Sequence, residues 1–143
     1  MKYPIGIQTF SDLREDGYVY VDKTALVHQM VTSGKVYFFS RPRRFGKSLL
    51  ISTLESYFRG RKELFEGLAM EKLEKDWYEY PVFHIDFNGD NFAKEGVLEA
   101  KIEGFLRQAE RMYGKDEDLL TMGDRFEEVL RRAGEKYGRR AVV

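Results

Sequence analysis

Three consecutive residues, Gly46, Lys47 and Ser48, carry the clearest chemical signal in this chain. Glycine has no Cβ, so the backbone at such a position can approach a ligand closely. A lysine ammonium is a mobile charge that reaches phosphate oxygens, and a serine hydroxyl is a small ligand suited to Mg²⁺. The preceding residues 41–45 are Arg-Pro-Arg-Arg-Phe, so the whole stretch is basic. These residue types, in this order, indicate a loop that grips phosphate groups.

The flanking sequence predicts a strand before this loop and a helix after it. Residues 36–40 form a short apolar run that is rich in aromatic and β-forming residues. From Lys47 to Arg59, apolar residues recur at three- and four-residue spacing, and Gly60 follows as a stop signal. Because a helix N-terminus offers unpaired N–H groups and a favourable dipole to anions, this arrangement is typical of a P-loop.

The loop departs from the general P-loop pattern at its start. The pattern asks for glycine where this chain has Arg41, and Pro42 removes one N–H group. The cradle is therefore expected further along the chain. The residues predicted to bind a nucleotide are Arg43, Arg44, Phe45, Gly46, Lys47, Ser48 and Leu49. Ser48 is also the predicted Mg²⁺ ligand, and Lys47 is also predicted to act in catalysis.

Four segments carry a resemblance to a known family. They are residues 3–14 (YPIGIQTFSDLR), 20–24 (YVDKT), 38–50 (FFSRPRRFGKSLL) and 80–87 (YPVFHIDF). In this order they resemble the N-terminal part of the bacterial AAA-ATPase-like family, whose loop also begins with Arg-Pro. The resemblance implies ATP and Mg²⁺ as cofactors. Members of that family are much longer, and many have a C-terminal region resembling a restriction-type nuclease. The chain therefore resembles an N-terminal fragment, with nucleic acid a possible partner of the missing region.

The order of predicted elements indicates an α/β fold. Helices are predicted at about 23–33, 94–113 and 124–137, with a further helical stretch at 68–77. Residues 81–87 read as a second strand, and residues 139–143 as the start of a third. We therefore predict a P-loop NTPase-type three-layer sandwich with a mainly parallel sheet, in a single domain over residues 1–143. The sheet is expected to be incomplete, because the chain stops before the acidic strand.

The sequence leaves two alternative roles open for Asp86 and two for Asp22. A P-loop ATPase uses an acidic residue on a neighbouring strand to hold Mg²⁺ through water, and the resemblance implies that this acid lies beyond Val143. Asp86 is the internal candidate for a catalytic acid, and its alternative role is to cap a turn. Asp22 either caps the helix that follows it or lies against the nucleotide with Lys23 and Thr24. We accordingly expect this chain to bind ATP better than it hydrolyses it.

Composition restricts the remaining classes of function. The 24 Lys and Arg residues balance 24 Asp and Glu residues, so the net charge gives no support for nucleic acid or an anionic membrane as a partner. With no cysteine and two histidines, His28 and His84, a zinc site is not expected. No apolar run approaches the roughly 18 residues of a membrane span, and a cytoplasmic location is predicted. An oligomer is possible.

Three functions remain open from the sequence. The first is ATP binding through the loop, with ATPase activity in the complete protein. The second is a nucleic-acid-binding module, in which Arg41, Arg43, Arg44 and Lys47 contact the backbone and Phe45 stacks on a base. The third is a nucleotide-gated interaction domain that binds without turnover. Salt dependence separates the second from the first, because binding to a nucleic-acid backbone weakens steeply with salt.

Overall fold

A computed structural model describes residues 2–143 of the chain. It divides into two compact units, Met1–Glu79 and Tyr80–Val143. The α-helices of the first unit are α1 (Phe10–Glu15), α2 (Thr24–Ser33), α3 (Lys47–Phe58) and α4 (Ala69–Leu73), with a 3₁₀ turn at Lys62–Phe65. Those of the second unit are α5 (Val97–Tyr113) and α6 (Met122–Tyr137). The sequence predicts a single domain over residues 1–143, and the division into two compact units does not test that prediction.

The predicted α/β sandwich is wrong, because residues 2–143 are helical and contain no β-sheet. Extended pairing is limited in this part of the chain to two isolated parallel bridges, Lys2 with Tyr18 and Val82 with Val142. The second bridge joins the two later segments that were predicted as strands. Phe83 N–H donates to the Val142 carbonyl at 2.7 Å, and Val142 N–H donates to the Pro81 carbonyl at 2.9 Å. The pairing does not extend further into a ladder.

Residues 36–40, the strand predicted before the loop, show why the prediction fails. Val36 and Phe38 are 92% and 95% exposed, and Tyr37 and Phe39 are also exposed. Residues that favour β-strands do so mainly because their side chains pack well on a half-buried pleated surface. They do not impose a strand conformation on the backbone by themselves. Since no other segment within residues 2–143 pairs with this one, its residue types alone do not make it a strand.

The first unit packs around aromatic residues from α1 and the 3₁₀ turn. The Phe10 and Phe65 side chains are fully buried, with ring centroids 4.9 Å apart, and Trp77 lies 5.1 Å from Phe65. The start of α1 is joined to α3, because the Phe10 N–H donates to Ser52 Oγ at 2.8 Å. The N-cap residue of α1, Thr9, makes no side-chain cap hydrogen bond.

The helix that follows the basic loop forms much as its spacing predicts. Helix α3 ends at Phe58, and Gly60 adopts a left-handed φ of 69°. Its partly buried residues Leu49, Leu50, Leu54 and Tyr57 pack against the core of the first unit. This packing fixes the direction of α3, and therefore fixes where its N-terminus lies.

The second unit is a pair of helices with a core of its own. Leu106 and Ala109 of α5 are buried with Val129 and Ala133 of α6, and Phe83 joins this core. Helix α6 begins where Thr121 Oγ1 accepts the Asp124 N–H at 3.1 Å, and this bond satisfies one of the unpaired donors of the first turn.

Two further predictions are tested by the described residues. The helical stretch predicted at 68–77 shortens to Ala69–Leu73, and residues 74–80 have no regular secondary structure. No helix within residues 2–143 is both long enough and apolar enough to cross a membrane.

Candidate functional site

The basic loop leads directly into the N-terminus of α3. Gly46 is the N-cap residue, with a left-handed φ of 76°, and no side chain caps this helix. The Leu50 N–H donates to the Gly46 carbonyl at 3.0 Å and so closes the first helical turn. The N–H groups of Lys47, Ser48 and Leu49 precede that bond and have no acceptor within the helix. They form a set of converging donors on the positive end of the helix dipole.

The backbone conformation at position 46 explains why this position favours glycine. A φ of 76° is strained for residues with a side chain. A Cβ built at Gly46 would have no atom within 4 Å, so the space beside the backbone is open. Arg44 is the non-glycine residue with positive φ among those described, at 65°. Two residues with positive φ therefore lie within three positions of each other in this loop.

The Lys47 side chain folds back over its own loop. Its Nζ donates to the carbonyl oxygen of Arg41 in a short hydrogen bond, and the Pro42 carbonyl lies 3.5 Å away. The ammonium is therefore held by backbone oxygens on the loop, close to the exposed end of α3. A phosphate would offer this ammonium a charged acceptor in place of a neutral one, and charge-assisted hydrogen bonds are the stronger kind.

The other residues predicted to bind a nucleotide lie on the same exposed loop. Arg43, Arg44 and Ser48 are exposed, and Phe45 is 63% exposed. The two arginines make no ion pair within residues 2–143, so their positive charge is not neutralised by the described chain. Leu49 differs from them, because it packs against the core of the first unit and contributes only its backbone N–H to the loop.

The residues at the helix start fit ATP phosphates and one Mg²⁺ contact. The backbone donors, the Lys47 ammonium and two arginines suit an anion, and the exposed Ser48 hydroxyl supplies one oxygen ligand. No group of three or more His, Cys, Asp or Glu residues within the described chain could hold a metal ion by itself. Magnesium ions are commonly held by few protein ligands together with substrate phosphates.

Asp86, the predicted internal catalytic acid, lies in the second unit on an exposed segment. Its Oδ1 accepts the Asn88 N–H at 2.8 Å, which is the local turn geometry given above as its alternative role. A role for Asp86 in catalysis remains a prediction.

Asp22 joins the starts of two helices. Its Oδ1 accepts the Thr24 N–H at 2.8 Å and the Thr24 hydroxyl at 2.7 Å, and its Oδ2 accepts the Ala69 N–H at 2.7 Å. The fully buried Thr24 hydroxyl in turn accepts the Met70 N–H at 3.0 Å. Partial burial acts to raise the pKa of Asp22, but these hydrogen bonds outweigh it and lower the pKa below 3.8. The carboxylate therefore connects α2 to α4.

Sequence reasoning missed the role of Arg41 in this site. Because Arg41 occupies the position where the P-loop pattern has glycine, it was excluded from the predicted cradle. Its carbonyl nevertheless holds the Lys47 ammonium. Its guanidinium lies 5.5 Å from the Phe39 ring centroid, within the range of a cation–π contact. No sequence signal identifies a backbone carbonyl as the acceptor of a particular lysine.

A basic loop that leads into an uncapped helix N-terminus defines a candidate anion-binding protein. Comparison with known families identifies the family to which the chain belongs. The chain belongs to the family described as "Predicted AAA-ATPase", which matches residues 4–143. This match confirms the family that the four sequence segments resemble.

The chain is also similar to a longer curated protein. It is a protein of Azotobacter chroococcum mcd 1 described as "Uncharacterized protein in vnfD 5'region", and it is 40% identical over 158 residues. The alignment covers 99% of this chain and 28% of that relative, so the chain spans little more than a quarter of its length. No solved structure matches the chain.

Proposed function

We propose that this chain binds ATP with Mg²⁺ through the loop at the start of α3. The observation that carries the proposal is the uncapped N-terminus of α3, which opens at Gly46 and is flanked by exposed Arg43 and Arg44. Membership of a family described as "Predicted AAA-ATPase" supports ATP as the nucleotide.

Each residue of the loop has a distinct part in the proposed binding. The backbone N–H groups of residues 47–49 donate to phosphate oxygens from one side, where the helix dipole also favours negative charge. Lys47 exchanges the Arg41 carbonyl for a phosphate oxygen. Ser48 contributes its hydroxyl to Mg²⁺, which neutralises phosphate charge when bound. Arg43 and Arg44 add positive charge at the loop surface.

ATP titration with and without Mg²⁺, followed by calorimetry, tests this proposal. Lys47→Ala is expected to weaken binding by about 2 kcal/mol, or about thirtyfold, because it removes a charge-assisted contact. Lys62→Ala is the matched control, since Lys62 is an exposed lysine of the same unit outside the loop. Equal losses in the two variants would indicate diffuse electrostatics and would overturn the proposal.

We propose ATP hydrolysis separately, and only for the longer proteins of this family. In-line attack on a phosphate needs a positioned water molecule, and the loop residues do not supply a group for this task. If this chain turns over ATP, Asp86→Asn tests whether Asp86 is the acid involved. A turnover rate that is unchanged in Asp86→Asn would remove Asp86 from the mechanism.

Nucleic-acid binding is the second candidate, and the exposed Phe45 beside exposed arginines favours it. Successive bases stack on aromatic side chains in single-strand-binding proteins. The same calorimeter distinguishes the two functions. Binding of an oligonucleotide that weakens steeply with salt, needs no Mg²⁺ and is lost in Phe45→Ala would favour this candidate over ATP.

A further inference from the structure

The second unit has a cleft that the proposed ATP site does not use. It lies beside the C-terminal half of α5, the loop that follows that helix, and the start of α6, and its volume is about 630 Å³. Small-molecule sites in proteins commonly have volumes of about 300–1,000 Å³, so the cleft is of a suitable size for a small ligand.

All three acidic residues that line the cleft have basic partners: Glu103 and Glu110 share Arg125, and Glu117 accepts from Lys115 Nζ at 2.7 Å. Arg125 donates to both oxygens of Glu110 at 2.7 and 2.8 Å, and to both oxygens of Glu103 at 2.8 and 3.2 Å. The Glu110 and Arg125 side chains are only 7% and 12% exposed. The two glutamates therefore share one guanidinium, and Glu103 also accepts from Arg107 Nε at 2.8 Å.

The basic residues along the wall of the cleft keep unused donors. Arg107 donates to Glu103 through Nε at 2.8 Å, and its two Nη groups have no acceptor within residues 2–143. Arg111 makes no side-chain hydrogen bond or ion pair in the described chain. The two arginines are four residues apart, so they lie on the same face of α5, whereas Lys115 lies beyond the end of that helix and is paired with Glu117. Guanidinium groups arranged in this way match the oxygens of a carboxylate or phosphoryl group.

An apolar edge completes the cleft. Leu119 and Leu120 line it beside Lys115, and Leu120 is 87% exposed. A single exposed leucine is ordinary on a protein surface, but one that borders a cationic cleft offers an apolar contact to whatever binds there. A cleft lined by both arginines and leucines suits a ligand with one charged end and one apolar end.

We propose that this cleft binds a small organic anion, in which a phosphoryl or carboxylate group is attached to an apolar body. The anionic group contacts Arg107 and Arg111, and the apolar body lies against Leu119 and Leu120. Arg125 is a positioning residue, because it holds the carboxylates of Glu103 and Glu110 through its hydrogen bonds. All of its proposed contacts come from residues of the second unit, and none belongs to the loop at α3.

Amide chemical-shift titrations of the ¹⁵N-labelled chain test the proposal with three probes. The probes are phenyl phosphate, benzoate and the neutral benzyl alcohol. Saturable shifts are expected at residues 107–120 with at least one of the two anions, and the anion that binds identifies the charged group. Benzyl alcohol is expected to bind at least tenfold more weakly than that anion. Comparable affinity for benzyl alcohol, or no saturable shift at residues 107–120, would overturn the proposal.

Variants show which contacts matter. Arg111→Gln is expected to weaken binding of the anion about tenfold, because it removes a charged donor, and Leu120→Ser is expected to weaken it severalfold. Arg140→Gln is the matched control, since Arg140 is an exposed arginine of the same unit outside the cleft. Equal effects of Arg111→Gln and Arg140→Gln would refute the assigned contact. Lys47→Ala should leave the titration unchanged, so this test is independent of the proposed ATP site.

Discussion

The Lys47 ammonium donates to the backbone carbonyl of Arg41, six residues earlier on the same loop. This contact keeps the positive charge at the helix entrance in the absence of a ligand. It also means that nucleotide binding must exchange one acceptor for another, so that part of the gain from the phosphate contact is offset by loss of the carbonyl contact.

The first prediction concerns the stability of the Lys47 variant. Lys47→Ala should change the free energy of unfolding by less than about 0.5 kcal/mol, because the contact lies on an exposed loop away from the core. Urea unfolding of the variant and the parent chain measures this. A larger destabilisation would mean that any loss of ATP binding in Lys47→Ala reports on folding, and the binding test would then need Lys47→Arg.

The second prediction concerns the backbone at Gly46. Gly46→Ala should destabilise the chain by about 1–2 kcal/mol, because alanine disfavours the left-handed conformation found there. Gly104→Ala in α5 is the control, since this glycine has no positive φ and a Cβ there meets nothing within 4 Å. That variant should be neutral or slightly stabilising, as alanine favours helices. Equal effects in the two variants would contradict a special backbone at Gly46.

The third prediction concerns the carboxylate that connects α2 and α4. Asp22→Ala should cost about 1–2 kcal/mol at neutral pH, in the range of other lost helix caps. Because the folded-state pKa of Asp22 is lowered below 3.8, its contribution is present above that value and is lost as the pH falls through the folded-state pKa. The difference between Asp22→Ala and the parent chain should therefore narrow in acid. A difference that stays constant from pH 7 to pH 2.5 would contradict this role.

The fourth prediction concerns Arg125 in the second unit. Arg125→Met should destabilise the chain by about 3 kcal/mol, because it leaves the largely buried Glu110 carboxylate without its partner. The hydrogen bonds from Arg125 also lower the pKa of Glu110, so the parent chain should lose this contribution only in acid. Denaturant unfolding at neutral pH compares this variant with Arg107→Met, whose arginine is exposed and should cost much less. An equal loss in the free energy of unfolding of Arg125→Met and Arg107→Met would contradict a special contribution from the buried Arg125–Glu110 pair.

Some of this structure could be predicted from the sequence, and the helices show why. The spacing of apolar residues and the terminal glycines locate α3, α5 and α6 to within three residues, because both signals are local. The left-handed conformation of Gly46 was not predicted, since the sequence indicated only a need for close backbone approach at this position. The chemical character of the loop was also visible, because its residues are contiguous.

The failures of prediction involve partners that are distant along the chain. Residues 36–40 have the composition of a strand, but a strand needs a neighbour that the composition does not specify. The link from Asp22 to Ala69 spans 47 residues, and Arg125 reaches Glu103 across 22 residues. Such pairs depend on how helices pack, and a single sequence contains no local pattern that selects one partner over another.

The central proposal is tested most directly by identifying which backbone amide signals shift when ATP is added to the chain. Adding Mg²⁺ and ATP to the ¹⁵N-labelled chain should shift the amides of Lys47, Ser48 and Leu49 in a saturable manner, because phosphate oxygens would accept their N–H groups. Adenosine, which lacks phosphates, should leave these three amides unchanged at the same concentration. Shifts confined to other residues, or equal shifts with ATP and adenosine, would contradict the assignment of this loop as the phosphate-binding site.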